Sequence, residues 1–238
     1  MPILEAKDVS YSYRNKYQTI EAVKHVSCAF ETGQFYAIVG HSGSGKTTFL
    51  SLLAGLDLPG EGEIYVDGRA MSSLNRDHYR RDMTSVVYQS FNLFPLLTAL
   101  ENVMYPMELQ GKSKREAAGT AKKLIAEVGL GEKIWRQRPL MMSGGEQQRV
   151  SIARALAVGG KIMLADEPTG NLDAKNGEIV AGLLKTLAHE REYAVIVITH
   201  NEELARQADV VYTMHDGELT DGGGEEESQR GLPPQPTT

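Results

Sequence analysis

The chain reads as an α/β protein built on a parallel sheet, and three features lead there. An apolar run from Phe35 to Val39 passes into Gly40-His41-Ser42-Gly43-Ser44-Gly45-Lys46-Thr47, and a helix-like run from Thr48 to Ala54 follows. That order is strand, glycine-rich loop, helix. Later, Lys161 to Ala165, Ala194 to Thr199 and Val210 to Met214 are nearly continuous apolar runs with helical stretches between them, the pattern of parallel strands buried on both faces. The 238 residues suffice for one sizeable core with an appended subdomain.

Taken in order, strand-like stretches run from Leu4 to Val9 and from Val23 to Phe30, separated by the polar, turn-rich Arg14-Asn15-Lys16. After the loop and its helix, Pro59-Gly60-Glu61-Gly62 makes a turn, and Glu63-Ile64-Tyr65-Val66-Asp67-Gly68 alternates apolar and polar before a glycine. These imply an antiparallel β subdomain beside the parallel core. Val86-Val87-Tyr88 is a further short strand. From Thr98 to about Val158 the pattern turns helical; Lys114 to Val128 is strongly helix-forming and Gly129 to Gly131 stops it. A helical subdomain therefore occupies roughly residues 90–160. The end of the chain, residues 222–238, holds Glu225, Glu226, Glu227 and a Pro-rich run with almost no apolar side chain. It cannot offset its ordering entropy and is expected to be disordered, which leaves 1–221 as the folded domain.

The glycine-rich loop fits G-x-x-x-x-G-K-[ST] at every fixed position, and chemistry explains the spelling. Glycines let the backbone N–H groups of Gly40 through Gly45 turn inward around phosphates, while the following helix points its positive end at them. Lys46 reaches the β- and γ-phosphates, the Thr47 hydroxyl can ligate Mg²⁺, and Thr48 extends the same contact set. The chain is thus expected to bind a nucleoside triphosphate. Lys161 to Ala165 leads straight into Asp166-Glu167. In P-loop enzymes an aspartate at such a strand end binds Mg²⁺, and an adjacent glutamate polarises the attacking water. The alternative is a pair of surface carboxylates.

Composition excludes several classes. The formal net charge of −6 argues against a nucleic-acid binder, which would carry a basic face. Cys28 is the one cysteine, so no intramolecular disulfide forms, which suits a reducing cytoplasm. Met1 to Glu5 lack a basic n-region and an apolar h-region, and no run of about 18 apolar residues occurs, so neither secretion by that route nor a membrane span is expected.

Ahead of the Asp166-Glu167 strand stands Met142-Ser143-Gly144-Gly145-Glu146-Gln147-Gln148-Arg149. It resembles the LSGGQ signature of the ATP-binding cassette (ABC) ATPases, with Met142 for leucine and Glu146 for the final glutamine. The family's other elements stand in order. Gln89 resembles the Q-loop glutamine, implied to contact Mg²⁺ and the attacking water. Gly170-Asn171-Leu172-Asp173 resembles the D-loop, and His200 resembles the switch histidine that holds the γ-phosphate. Tyr13 matches the aromatic position on which adenine stacks, with Tyr11 as the competing assignment. The resemblance spans Leu4 to Leu219 and implies a P-loop NTPase fold of ABC ATPase type.

In that family, signature and P-loop do not meet within one subunit. The resemblance therefore implies head-to-tail pairing, with ATP held between Lys46 and Thr47 of one cassette and Ser143, Gly144 and Gly145 of the other. A homodimer is preferred to a paralogue pair because this chain carries both the signature and Glu167. Glu167 would act as general base, with Lys46, Gln89 and His200 positioning the reactants. A transport role then requires a separate integral-membrane permease, and the segment after Gln89 is where the family receives a coupling helix; Phe91, Leu93 and Phe94 are the candidate anchors. The phrase from Ala165 to Asp173 looks like the subgroup of macrolide, lipoprotein-extracting and antimicrobial-peptide exporters, which includes the cell-division cassette. The implied location is cytoplasmic, peripheral on the inner face of the membrane through the permease. A non-transport cassette of the cell-division type is the competing function, and a soluble repair or translation ATPase the third.

Overall fold

The computed structural model describes residues 1–221; the tail expected to be disordered lies outside the described residues. The chain opens with a hairpin of β1 (Leu4–Arg14) and β2 (Thr19–Phe30). The side-chain oxygen of Asn15 closes its turn by accepting from the backbone N–H groups of Tyr17 at 2.9 Å and Gln18 at 2.8 Å. Both strands outrun their apolar stretches. Register shifts between Ala6 and Ser12 break the two-residue alternation, so the sequence pattern conceals their continuity. β3 (Gln34–Val39) leads through the glycine-rich loop into α1 (Lys46–Leu53). β4 (Glu61–Val66) and β5 (Arg69–Ala70) are joined by Asp67-Gly68, whose φ values of 48° and 73° give the tight turn that suits strand twist. These strands form a four-stranded antiparallel sheet in the order β2-β1-β4-β5.

A short α2 (Arg76–Asp82), capped by Asn75, precedes β6 (Thr84–Tyr88). Next come α3 (Ala99–Leu109), α4 (Lys114–Glu127) and α5 (Gly144–Ala157). Each opens on a reciprocal cap between a hydroxyl and a glutamate three residues on: Thr98 with Glu101, Ser113 with Glu116, Ser143 with Glu146. Such a cap is worth about 1 kcal/mol. The chain then alternates: β7 (Ile162–Asp166), α6 (Ala174–Arg191), β8 (Ala194–Ile198), α7 (Glu202–Ala205), β9 (Val210–His215) and β10 (Glu218–Asp221). The second sheet has six strands in the order β10-β9-β3-β8-β7-β6, parallel except for the edge strand β10.

Strand parity divides this sheet between two cores. Phe35, Val87, Met163, Ala165, Val195 and Val197 face the layer of α3, α4, α5 and α6. Tyr36, Ile38, Ile162, Leu164, Ile196 and Ile198 face α1 and the antiparallel sheet. Both faces are covered, which is why the strands read as unbroken apolar runs. Registry then aligns the carboxyl ends: Tyr88 lies opposite Asp166, Asp166 opposite Ile198, and Ile198 opposite Ile38. One residue further along, the chain places Gln89, Glu167, Thr199 and Val39 along a single rim, where open α/β sheets bind their ligands.

Candidate functional site

The rim holds an open cleft of about 1090 Å³. Gly40 through Gly43, Gly45, Lys46, Thr47 and Thr48 form its floor, with Tyr13, Gln89, Asp166, Glu167 and His200 around it. Ser44 is buried beneath the loop. Two glycines are required by close approach. A Cβ on Gly40 would stand 2.2 Å from the Met214 carbonyl oxygen, and one on Gly45, already at φ 103°, would stand 2.1 Å from that of Ala22. Gly45 caps α1, which has no acidic residue in its first turn. The helix thus presents unneutralised N–H groups to the cleft, a ready anion site.

Lys46 donates from Nζ to the carbonyl oxygens of Gly40 and His41, both at 2.8 Å, and to Ser44 Oγ at 3.3 Å. Burial lowers its pKa, opposed by the nearby charges of Glu167 and Asp166. Asp166 is raised, first by burial and then by Glu167, with Lys46 and the Thr47 hydroxyl pulling the other way. Glu167 stands in the left-handed region at φ 46°, and its side chain meets the residues that follow β8. Its carboxylate accepts from His200 Nδ1 at 2.6 Å, from the His200 backbone N–H at 3.1 Å and from Thr199 Oγ1 at 3.1 Å. His200 Nδ1 thus donates to the glutamate that the resemblance assigns as base. Gln89 Nε2 donates to Asn171 Oδ1 at 3.1 Å, and Asn171 Nδ2 to the Gln89 carbonyl at 3.0 Å. This ties the residue after β6 to the segment after β7.

Between Tyr11 and Tyr13, only Tyr13 lines the cleft. It is half exposed, its hydroxyl pairs with Thr48 Oγ1 at 3.2 Å, and its ring meets Tyr11 edge-on at 5.1 Å. The cleft wall also includes Ile20, Glu21, Ala22 and Lys24 from β2, and Asp216-Gly217 from the turn after β9. Sequence reasoning missed these. The Asp-Gly pair carries a hairpin-turn signal, but nothing local indicates that the turn faces the loop.

Ser143, Gly144, Gly145 and Asp173 stand elsewhere. Ser143 caps α5, its hydroxyl and backbone N–H both donating to Glu146 Oε2 at 2.8 Å. The departure from glutamine at Glu146 thus gives an anionic partner at a helix start, and Met142 is buried in the core as a leucine would be. A Cβ on Gly145 would overlap Asn176; Asn176 is in turn held by Asp173, which caps α6 and accepts its backbone N–H at 2.8 Å. Gly144 lies beside Leu172 and the Phe91 ring.

A second concavity, about 430 Å³, lies between the edge strand β6, α2 and α3, with Leu56, Tyr88, Phe94, Tyr105, Leu109 and Arg154 in its wall. Phe94 is exposed there and packs on Tyr105 at 4.8 Å. Of the other two expected anchors, Leu93 packs against the helical core, and Phe91, at φ 63°, turns toward Gly144. Arg154 fixes the bend by donating to the carbonyls of Asn92 at 2.7 Å and Phe91 at 3.2 Å.

A glycine-rich loop before a helix, with an Asp-Glu strand end and a histidine beyond the adjacent strand, defines a P-loop NTPase. The family model described as "ABC transporter" matches residues 23–170. The chain is 42% identical over 220 residues to the uncharacterized ABC transporter ATP-binding protein YclH of Bacillus subtilis, covering 92% of this chain and 96% of that one. It is 42% identical over 225 residues to the lipoprotein-releasing system ATP-binding protein LolD of Saccharophagus degradans, covering 93% and 98%. The dimeric structure of a post-hydrolysis state of the ATP-binding cassette MJ0796, bound to ADP and Pi, superposes with a TM-score of 0.84 at 39% identity, covering 93% of this chain and 99% of that one. The chain belongs to the ABC transporter family and is an ATPase of its ATP-binding cassette type.

Proposed function

We propose that this cassette is the ATP-hydrolysing subunit of an ABC exporter, working as a head-to-tail homodimer on a separate membrane permease. The separation of groups within one chain carries the reading. The catalytic groups gather in one cleft, while Ser143, Gly144 and Gly145 stand outside it. A second cassette supplying its own Ser143 to Gly145 would complete the cleft. The dimeric MJ0796 cassette, similar over nearly the whole chain, supports that pairing.

In the closed site, the loop N–H groups, the α1 terminus and Lys46 stabilise charge on the transferring phosphoryl group. Glu167 takes the proton of the attacking water, for which it must exchange one of its three donors for that water. His200, held through Nδ1, turns Nε2 to the γ-phosphate, to which it donates when both ring nitrogens carry protons, and Tyr13 offers its exposed ring to adenine. Thr47, Asp166 and Gln89 supply hard oxygen donors that suit Mg²⁺. The half-buried Asp166, raised first by burial and then by the Glu167 charge, is a group that a cation would stabilise. An Mg²⁺ ion held by these residues would neutralise charge on the triphosphate.

The groove around Phe94 supports a permease contact, since an apolar cleft with aromatic walls receives an amphipathic helix. No helix among the described residues is long and apolar enough to cross a membrane, so extrusion needs that partner. The substrate exported or extracted is a peptide, an antimicrobial or a lipid-linked molecule, and similarity to LolD, named for a lipoprotein-releasing system, supports the last of these.

Mixing Lys46→Ala and Ser143→Arg variants tests the pairing. Each mixed dimer holds one site with both defects and one with neither, and regained ATPase supports shared sites. Isolating the membrane protein that co-purifies with the cassette tests the rest. Loss of extrusion on deleting that protein supports export, whereas a defect confined to septation supports the cell-division type of cassette.

A further inference from the structure

The loop and the β9–β10 turn bring two imidazoles and a carboxylate together at the edge of the cleft. His41 Nε2 lies 3.5 Å from Asp216 Oδ1, and His215 Nδ1 lies 3.5 Å from Asp216 Oδ2. The three ligand atoms all lie within 4.8 Å of one another, and the two rings meet edge-on at 5.1 Å. None of these side chains has a role in the cleft chemistry derived above.

We propose that His41, His215 and Asp216 form a binding site for a divalent transition-metal ion of the zinc class. Spacing is the first reason. Zinc–nitrogen and zinc–oxygen bonds of about 2.0–2.2 Å in a tetrahedron place neighbouring ligand atoms roughly 3.3–3.5 Å apart; each imidazole stands 3.5 Å from one of the two Asp216 oxygens, and one ligand atom from each residue keeps all three within 4.8 Å. The ligand atoms have at most about 1.5 Å to close to reach tetrahedral spacing, and both rings are exposed.

Tautomer is the second. His41 Nδ1 lies 2.8 Å from the Ser42 carbonyl, so Nδ1 carries the proton and Nε2 turns its lone pair toward the Asp216 carboxylate. In that tautomer two acceptors face each other, and either a proton on Nε2 or a metal cation between them satisfies both. A ligating histidine whose other nitrogen donates to a carbonyl is also the usual outer-shell arrangement in metal sites.

Rigidity is the third. Asp216 and Gly217, at φ 47° and 90°, form a tight turn. That turn is pinned to the loop by Gly217 N–H on the Ser44 carbonyl at 2.9 Å, and to β2 by Lys24 N–H on the Gly217 carbonyl at 2.8 Å. The two halves of the site are thus held at fixed separation before any ion arrives. Imidazole nitrogen selects zinc-like ions over Mg²⁺, which prefers oxygen, so this site and the Thr47–Asp166 oxygens take different metals. Three protein ligands leave the ion a fourth position for water.

The test uses the untagged full chain, free of nucleotide, in millimolar Mg²⁺ to occupy oxygen sites. Co²⁺ is titrated by its visible spectrum and then displaced by Zn²⁺, with calorimetry giving stoichiometry. One ion per chain is expected, with the intense absorption of four-coordinate Co²⁺. Losing an outer-shell partner already costs about 10–100-fold in affinity, so His215→Ala and Asp216→Asn are expected to weaken binding by at least tenfold. His200→Ala is expected to leave it unchanged, and His215→Ala to retain wild-type circular dichroism and Mg²⁺-dependent ATPase. Unaltered affinity in a folded His215→Ala, equal loss in His200→Ala, or no stoichiometric binding below about millimolar Zn²⁺ would overturn the proposal and leave only an ion-paired surface cluster.

Discussion

Replacing Glu167 with glutamine separates binding from hydrolysis. Gln keeps the length and one acceptor oxygen, and it imposes no new backbone demand at φ 46°, so Thr199 Oγ1 and the His200 N–H keep a partner. What disappears is the charge and the proton-accepting oxygen. A positioned general base contributes roughly 10²–10⁴-fold, so turnover is expected to fall at least about a hundredfold, equivalent to about 2.7 kcal/mol in the barrier. Folding changes less. The 2.6 Å contact with His200 loses its charge assistance, but that imidazole is 72% exposed, so screening leaves on the order of 1 kcal/mol or less. Nucleotide affinity is expected to hold, because removing Glu167 also removes part of the charge that opposes an incoming polyphosphate. Single-turnover hydrolysis, equilibrium ATP binding and size-exclusion chromatography with ATP check the three outcomes, the last by an accumulated dimer. Hydrolysis within about threefold of wild type would assign the base elsewhere.

Gly45→Ala forces a Cβ against the Ala22 carbonyl at a left-handed φ, so ATP binding is expected to be lost and thermal stability to fall by at least the roughly 1–3 kcal/mol of such strain. Phe94→Asp is expected to leave a folded enzyme with near-normal basal ATPase that no longer co-purifies with its membrane subunit. Leu93→Asp, by contrast, buries a carboxylate against the helical core and destabilises the fold; urea titration separates the two. Ser143→Ala removes the cap of α5, with an expected loss of about 1 kcal/mol in chemical denaturation. The Cys28 thiol is pushed up to about 12, by burial first and the Asp221 charge second. Since the thiolate is the reactive form, alkylation at pH 8 is expected to be slow in the native protein and fast in denaturant.

The parallel strands were legible because burial on both faces writes continuous apolar runs, and the loop from Gly40 to Thr47 because phosphate chemistry dictates its spelling. The antiparallel sheet was half legible; bulges hid the reach of β1 through Tyr13. α2 escaped notice because, of its seven residues, only Tyr79 is buried, and the polar edge strand β10 offers no apolar alternation. Contacts across the chain were beyond local reading. The Glu167–His200 pair, the Gln89–Asn171 pair and the meeting of His41 with Asp216 depend on sheet order, which no window of sequence contains. The docking segment shows the same limit. Phe91, Leu93 and Phe94 are alike as apolar residues near Gln89, and only the bend fixed by Arg154 sends Phe94 outward and Leu93 inward.

Head-to-tail pairing is the central claim, and a crosslink tests it most directly. Ser42→Cys and Gly144→Cys, introduced together in a Cys28→Ser background, place thiols on the loop and on the signature. With ATP present, oxidation is expected to yield a disulfide between chains, seen as a dimer on non-reducing gels and lost when nucleotide is omitted. A bridge confined to single chains, or none with ATP bound, would contradict the shared site.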